Sequence, residues 1–265
     1  IFIYSNDVPL FALREMAKQG FTTVQYYEDL PFDFPAGLIQ RAQEVDFFLM
    51  TNKGRKEQLR QFGINPVYFT GGCDLHDHFV QRPMLPLWKS DIAFIGAARP
   101  GEPRVNLIKN LKKDLRLKIY GRNWKQFGLT PTLPSVKPRA YRLICSGAKI
   151  VLGSDITNTI EGYWSNRLWL TLGCGGFFLT NYVKGIEDFF ENRKHLVWYQ
   201  SHEECLALID EYLNKPQERA RIARQGYAKV HAEHTFHTFV ERVIALYKQR
   251  GPQQPLRALP DKIER

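Results

Sequence analysis

The stretch Ser165-Asn-Arg-Leu-Trp-Leu-Thr-Leu-Gly-Cys-Gly-Gly-Phe-Phe-Leu-Thr180 contains the pattern that decides the fold. Its first half has the apolar spacing of a helix, and its glycines are typical of a helix end. The apolar residues that follow have the length and composition of a buried strand. We therefore predict a helix over 166–172 with Ser165 as its N-cap, and a strand over 177–180.

The same alternation of strand and helix extends in both directions along the chain. A helix that returns directly into a buried strand is typical of parallel sheets covered by helices on both faces. Strands are predicted at 1–4, 22–27, 46–50, 66–69, 92–95, 117–120, 149–152, 177–180 and 196–199, with helices between them and three closing helices through residue 247.

A loop-like segment with Pro83 and Pro86 interrupts this alternation. We therefore predict an N-terminal Rossmann-like domain in residues 1–80, a linker at 81–91, a C-terminal Rossmann-like domain in 92–250 and a tail at 251–265. Two doubly wound parallel sheets in tandem are expected to face each other across a cleft. The first domain is expected to be shortened, with upstream residues missing.

Composition narrows the class of protein. The chain has 265 residues, of which 44% are hydrophobic and 13% aromatic, which is enough for a packed core. Because no apolar run approaches 18 residues, we expect no membrane-spanning segment. The four cysteines are widely spaced, which argues against a disulfide framework or structural zinc and favours the cytoplasm. Asp74, His76 and His78 alternate in one loop, but three such residues are weak evidence for a metal site.

The net charge of +10 favours anionic partners such as phosphate groups, an anionic membrane or an acidic polymer. Simple solubility is the alternative explanation. The basic residues are scattered along the chain, and no block of five or six like charges marks a nucleic-acid tail. Nucleic acid is therefore a disfavoured partner, although it stays open.

Ligands of open parallel sheets bind beyond the carboxyl ends of the strands, so the residues directly after each strand are candidates. Gly96 and Arg99 follow the strand at 92–95, and Gly121 and Arg122 follow the strand at 117–120. A glycine lets backbone amides approach a phosphate, and an arginine neutralises it. Tight turns with solvated arginines are the alternative.

The start of the helix at Ser165, Asn166 and Arg167 is the strongest local candidate. A helix N-terminus presents unpaired N–H groups and a partial positive charge, so a cation in its first turn is unfavourable unless an anion is nearby. We therefore predict that this helix start and the Arg167 guanidinium bind a diphosphate. The alternative is a capped helix whose Arg167 pairs with Asp155 or Glu161.

These residues resemble the CgeB-like (spore maturation protein) glycosyltransferases, within the GT-B glycosyltransferases that have a group 1 C-terminal domain. The resemblance spans roughly residues 92–247 and is clearest at 165–180. It continues in Gly185-Ile-Glu-Asp-Phe-Phe190 and His234-Thr-Phe236. The first half of the chain is similar to the later part of the family's N-terminal domain.

The resemblance implies the GT-B fold and the transfer of a sugar from a nucleotide-diphospho-sugar to a hydroxyl acceptor such as a glycan or lipid, with no obligatory metal. A general base is needed for the acceptor hydroxyl, and Asp29 and Asp7 are the catalytic candidates because they follow strands. The implied donor-binding residues are Gly96, Arg99, Gly121, Arg122, Val136, Tyr163, Ser165, Asn166, Arg167 and Glu187.

One departure from the family's pattern concerns Leu170, which lies where many group 1 enzymes carry a glutamate that holds the donor ribose. Leucine cannot accept hydrogen bonds from hydroxyl groups, and losing a charge-assisted pair costs about 1.5 to 3 kcal/mol. Glu161 or Glu187 could replace that glutamate. Two alternatives to a glycosyltransferase that acts on a glycan or lipid therefore stay open. One is a nucleotide-sugar-binding protein with weak or no catalysis, and the other is a nucleic-acid-modifying glycosyltransferase.

Overall fold

The computed structural model describes residues 2–4, 8–28, 34–81 and 85–250, and these divide into two compact units. One unit holds the chain up to Phe69 together with the chain from Val240, and the other holds Thr70–Phe239. Asp7, Asp29 and the predicted tail at 251–265 lie outside the described residues.

The first unit contains a parallel sheet of four strands in the order β1-β2-β3-β4. Its strand β3 is buried along its whole length, which explains its uninterrupted apolar sequence. The elements are β1 (Phe2–Tyr4), α1 (Leu10–Lys18), β2 (Thr23–Tyr27), α2 (Ala36–Glu44), β3 (Phe47–Met50), α3 (Lys56–Arg60) and β4 (Pro66–Tyr68).

The second unit contains a parallel sheet of five strands in the order β6-β5-β7-β8-β9. Its elements are β5 (Ser90–Ile95), α4 (Pro103–Lys109), β6 (Leu117–Tyr120), α5 (Pro138–Gly147), β7 (Ala148–Leu152), α6 (Arg167–Gly173), β8 (Phe178–Asn181), β9 (Val197–Tyr199), α7 (His202–Leu213), α8 (Pro216–Glu233) and the start of α9 (Phe236–Arg250). None of the helices in the described ranges combines the length and apolarity needed to cross a bilayer.

Both faces of the second sheet are buried. Alternate residues of β5 point to opposite faces, so Ile92 and Phe94 join one apolar cluster while Ala93 and Ile95 join another. Helices α4 and α7 contribute to the first cluster, and α5 and α6 contribute to the second. The predicted α/β class with parallel sheets is therefore confirmed.

The strand order of the second sheet reverses at β5. The chain runs from β5 to β6 on one side and then crosses to β7 on the other side of β5. The carboxyl ends of β5 and β7 therefore form a topological switch point, where open α/β sheets leave a crevice for ligands. In the first sheet the described strands follow the chain order without such a reversal.

The division between the units differs from the predicted linker at 81–91, because residues 70–91 group with the second unit. Main-chain hydrogen bonds hold this segment there: the Cys73 amide donates to the His234 carbonyl at 2.9 Å, and the Phe236 amide donates to the Cys73 carbonyl at 3.0 Å. Helix α9 begins beside this contact and continues into the first unit, where Arg242 stacks over Phe69.

A glycine contact at the end of β6 gives a test of this fold. A Cβ on Gly121 would lie 2.2 Å from the Gly96 carbonyl oxygen, and the φ angle of Gly121 is +140°. Gly128 has a positive φ of +76°, but open space surrounds its Cβ position. We expect Gly128→Ala to lower the unfolding free energy by about 1 kcal/mol, because alanine disfavours a positive φ. Gly121→Ala should lower the unfolding free energy by about 2 kcal/mol more, because its Cβ also clashes with the Gly96 carbonyl.

Urea denaturation of the two variants measures this difference. Equal losses of unfolding free energy in the two variants would show that the loops after β5 and β6 do not approach each other this closely.

Candidate functional site

The guanidinium of Arg167 lies at the switch point, between the carboxyl ends of β5 and β7. Its Nη1 donates to the Ile95 carbonyl at 2.9 Å, and its Nη2 donates to the Ser154 carbonyl at 2.9 Å. Nη2 also lies 3.4 Å from the Asp155 carboxylate, and Nε donates to Ser165 Oγ at 3.0 Å. The side chain is 12% exposed. Arg167 therefore joins two strands to the start of α6.

Asp155 completes this buried network. Its carboxylate accepts a hydrogen bond from the Ser165 amide at 3.0 Å, and its own amide donates to Asn181 Oδ1 at 2.7 Å. Burial raises the pKa of the Asp155 carboxyl, while Arg167 acts in the opposite direction. The alternative in which Arg167 pairs with Asp155 is confirmed. Each guanidinium nitrogen of Arg167 thus already has a protein acceptor, and the binding of a diphosphate by Arg167 stays a prediction.

The start of α6 also differs from the predicted N-cap. The helix begins at Arg167, and Asn166 occupies the N-cap position without a capping hydrogen bond from its side chain. Ser165 Oγ lies 3.4 Å from the Arg167 amide and accepts from the Arg167 side chain instead. Ser165 therefore orients Arg167 as well as the helix start.

A second buried guanidinium, that of Arg104, lies beside the first. Arg104 Nη1 donates to the Ala97 carbonyl at 3.1 Å, and Nε lies 3.3 Å from a Glu102 carboxylate oxygen without hydrogen-bond geometry. Arg104 Nε and Nη2 have no hydrogen-bond partner among the described residues, and neither has that Glu102 oxygen. Burial and the nearby Arg167 lower the pKa of Arg104 to about 10.

Unused donors on a buried cation are costly, because desolvating a charged group is repaid only by well-formed hydrogen bonds. Arg104 has an exposed side-chain fraction of 6%, so bulk water does little to solvate it. The arrangement suits an anion that accepts from Nε or Nη2, such as a phosphate oxygen.

Gly96 makes room for the Arg167 guanidinium. A Cβ on Gly96 would lie 2.6 Å from Arg167 Nη1, whereas Arg104 Nη1, at 3.5 Å, would remain in ordinary contact. The glycine therefore admits the Arg167 side chain to the switch point. The close approach of its backbone to a phosphate stays a prediction.

The loops that carry Arg99 and Arg122 adjoin, as their positions after neighbouring strands predicted. The Gly96 amide donates to the Tyr120 carbonyl at 2.8 Å, and the Ala98 amide donates to the Arg122 carbonyl at 3.0 Å. Both arginine side chains are exposed, and neither forms a hydrogen bond or ion pair with another described residue. Two solvated cations therefore lie at the same edge of the sheet as Arg104.

A small polar cavity of about 110 Å³ lies beside Pro103 at the carboxyl ends of β7, β8 and β9. Its wall includes hydroxyl, amide and carboxylate groups, which can bind the hydroxyl groups of a small ligand. The polar residues that line it include Ser154, Asp155, Thr157, Asn158, Asn181, Tyr199, Ser201 and His202.

Glu161 and Glu187 lie on loops that the structure joins, since the Gly162 amide donates to the Lys184 carbonyl at 2.8 Å. The Glu161 carboxylate pairs with Lys184 Nζ at 2.9 Å. The Glu187 carboxylate accepts from the Tyr182 hydroxyl at 2.9 Å and from the Gly185 amide at 3.0 Å. The half-buried Glu161 carboxylate is therefore oriented by Lys184 of the adjoining loop. The exposed Glu187 carboxylate is oriented by residues that precede it in its own loop.

The remaining predicted residues are less accessible. Tyr163 is buried, and Asn166 is half-buried at the start of α6. Val136 and Leu170 are partly buried and pack against the apolar cluster of α5 and α6. Leu170 therefore contributes to packing at the position where the family pattern has an acid.

The alternating Asp74, His76 and His78 do not form a metal site. The Asp74 carboxylate accepts from the amides of His76 and Asp77, and His78 Nδ1 faces the main chain of Asp74. Within the described ranges, no group of three His, Cys, Asp or Glu side chains is placed to hold a metal ion.

Arg104 and Glu102 were not among the candidates that the sequence suggested. Arg104 stands in the first turn of α4, where, as at Arg167, a cation is unfavourable unless an anion is nearby. Its position in the sequence therefore indicates an anion, but it does not distinguish an arginine whose nitrogens have protein acceptors from one with unused donors.

The fold is similar to that of solved GT-B glycosyltransferases. The family described as glycosyl transferase-like matches residues 102–245, which is more than half of the chain. The chain belongs to this family.

Solved structures show the same fold at low sequence identity. Sucrose-phosphate synthase from Thermosynechococcus elongatus superposes with a TM-score of 0.64 and 12% identity, covering 94% of this chain and 73% of that chain. Anabaena HepE in complex with UDP-glucose gives a TM-score of 0.63 and 10% identity, covering 93% and 78%. An alpha-glucosyltransferase in complex with UDP-glucose and DNA gives a TM-score of 0.66 and 12% identity, covering 93% of this chain and 80% of that chain. A comparison with curated protein sequences found no match.

The buried pair of Arg167 and Asp155 gives a second test. Removing one partner of a buried ion pair leaves an uncompensated charge, so we expect Asp155→Ala to lose about 3 kcal/mol of unfolding free energy. The exposed pair of Lys194 and Glu191 is the control, and Glu191→Ala should lose much less unfolding free energy, because solvent screens an exposed ion pair. Chemical denaturation measures both values. A loss as small in Asp155→Ala as in Glu191→Ala would contradict the role given to Arg167.

Proposed function

We propose that this protein transfers a sugar from a nucleoside-diphosphate-sugar to a hydroxyl acceptor, and that it is a CgeB-like member of its family. The observation that carries the proposal is the buried Arg104 guanidinium, whose Nε and Nη2 have unused donors at the topological switch point. A diphosphate offers the charged oxygen acceptors that these donors require.

The positive charge around this position favours a diphosphate over a neutral ligand. Arg99 and Arg122 lie on adjoining loops at the same edge, and Arg99 and Arg167 both act electrostatically on Arg104. In a sugar transfer the leaving diphosphate gains negative charge, so preorganised cations stabilise the transition state. Arg99, Arg104 and Arg122 can supply this charge, which supports a reaction without an obligatory metal.

The donor sugar fits the polar cavity at the ends of β7 to β9, since its amide and hydroxyl groups can bind sugar hydroxyls. UDP-sugars are the first donors to test, because similar folds have been solved with UDP-glucose. Asp29 and Asp7 remain the proposed general bases, and the cytoplasm remains the proposed location. The acceptor panel should include glycans, lipids and duplex DNA.

The exposed arginines allow a test that leaves the fold intact. We expect Arg99→Ala and Arg122→Ala each to weaken UDP binding about tenfold or more while uridine binding stays unchanged, because each loses a charge-assisted bond to phosphate. Calorimetric titration measures both affinities. Lys18→Ala, which removes an exposed charge from α1, is the control and should bind UDP normally.

UDP affinity that is equal in all three variants would remove the diphosphate assignment. Arg167→Ala is a poor diagnostic variant, because it deletes several buried hydrogen bonds and its loss of activity would follow from instability alone.

Leu170 favours a second candidate function, a protein that binds nucleotide-sugars without transferring them. Its side chain cannot replace the acid that the family pattern has there. Release of UDP from a UDP-sugar, with or without an acceptor, separates the two functions. Transfer predicts UDP release that Arg99→Ala slows, whereas a pure binder shows affinity and no release.

A further inference from the structure

A second and larger concave site of about 400 Å³ lies in the Thr70–Phe239 unit, at the opposite edge of its sheet. Residues at the amino ends of β7 and β8 line it together with the first turns of α8. Strand β7 has five residues, so its two ends are about 13 Å apart. This cavity, which we call the amino-edge cavity, is therefore separate from the switch point.

Cations from two elements converge on the amino-edge cavity: Lys149 from β7, and Arg219 and Arg224 from α8. Arg224 is exposed and forms no hydrogen bond or ion pair with the residues that the structure describes. Arg219 donates to the Leu213 carbonyl at 3.0 Å, which fixes its side chain at the wall. The positive end of the α8 dipole adds to this field.

The nearby acidic groups do not neutralise these cations. Asp91 pairs with Lys149 at 2.8 Å and accepts from the Arg116 amide at 2.9 Å. Burial opposes ionisation, but these two contacts lower the pKa of Asp91, so its charge is already matched. Glu218 in the first turn of α8 pairs with Arg221. The two remaining arginines therefore leave a net positive wall.

Most of the other wall residues are apolar or aromatic, with Phe177, Ala223 and Tyr227 among them. Val80, which also lines the cavity, is 38% exposed. A charged wall thus adjoins apolar side chains.

We propose that the amino-edge cavity binds the phosphate group of a ligand other than the sugar donor. An arginine fork can donate to two oxygens of a phosphate at once, and the half-buried ring of Tyr227 at the wall can contact the organic part. The same chemistry is present in an anionic lipid headgroup and in a soluble phosphate ester. This site does not depend on the proposed sugar transfer.

The test uses the whole chain with saturating UDP, which occupies the proposed donor site. Two probes are added: phosphatidylcholine vesicles with or without phosphatidic acid, measured by flotation, and inorganic pyrophosphate, measured by calorimetry. We expect at least one probe to bind, and Arg224→Ala to weaken that binding about tenfold. Lys18→Ala, which removes one exposed positive charge from the other unit, is the control and should bind like the wild type.

The pattern of binding identifies the source of the phosphate. Binding of acidic vesicles alone indicates a lipid headgroup, and binding of pyrophosphate indicates a soluble ester. Failure of both probes to bind would overturn the proposal, as would binding that Arg224→Ala leaves unchanged or that Arg224→Ala and Lys18→Ala weaken equally. UDP binding by Arg224→Ala should be unchanged, which separates this outcome from a failure of the donor site.

Discussion

The buried guanidinium of Arg167 is the interaction on which the second unit depends. It ties the last residue of β5, the loop after β7 and the start of α6 through hydrogen bonds to Ile95, Ser154 and Ser165. A buried cation is tolerated only when it is paired and hydrogen-bonded, and Asp155 supplies the opposing charge. A buried ion pair with its hydrogen bonds therefore lies at the point where the strand order reverses.

Two arginines at one switch point can have different tasks. Each guanidinium nitrogen of Arg167 has a protein acceptor, whereas Arg104 keeps two nitrogens without hydrogen-bond partners among the described residues. Burial, and after it the like charge of Arg167, lower the pKa of Arg104. Both effects disfavour an uncompensated cation, so this arrangement favours the binding of an anion.

The elements of this fold could be predicted from the sequence because buried parallel strands are continuous apolar runs. Strand β8 and helix α6 lie within one residue of the predicted bounds. The adjoining loops of Arg99 and Arg122 also follow from strand order. Long-range contacts could not be predicted. The main-chain hydrogen bond from Cys73 to His234 joins residues far apart in the chain, and residues 70–91 group with the second unit because of such contacts.

The task of each arginine was equally hidden from the sequence. Arg104 and Arg167 both stand in the first turn of a helix, and the same dipole argument applies to each. Only their three-dimensional acceptors distinguish them: Ser165, Asp155 and two carbonyls accept from Arg167, whereas Glu102 approaches Arg104 without hydrogen-bond geometry. Likewise, Gly96 serves side-chain packing, which its position in a turn does not indicate.

A crystal structure of the protein with UDP would show whether Arg104 binds the diphosphate. We predict a diphosphate oxygen within hydrogen-bond distance, about 3 Å, of Arg104 Nε or Nη2, with the contacts of Arg167 unchanged. A diphosphate bound away from Arg104, or one bound to an Arg167 released from Asp155, would contradict it.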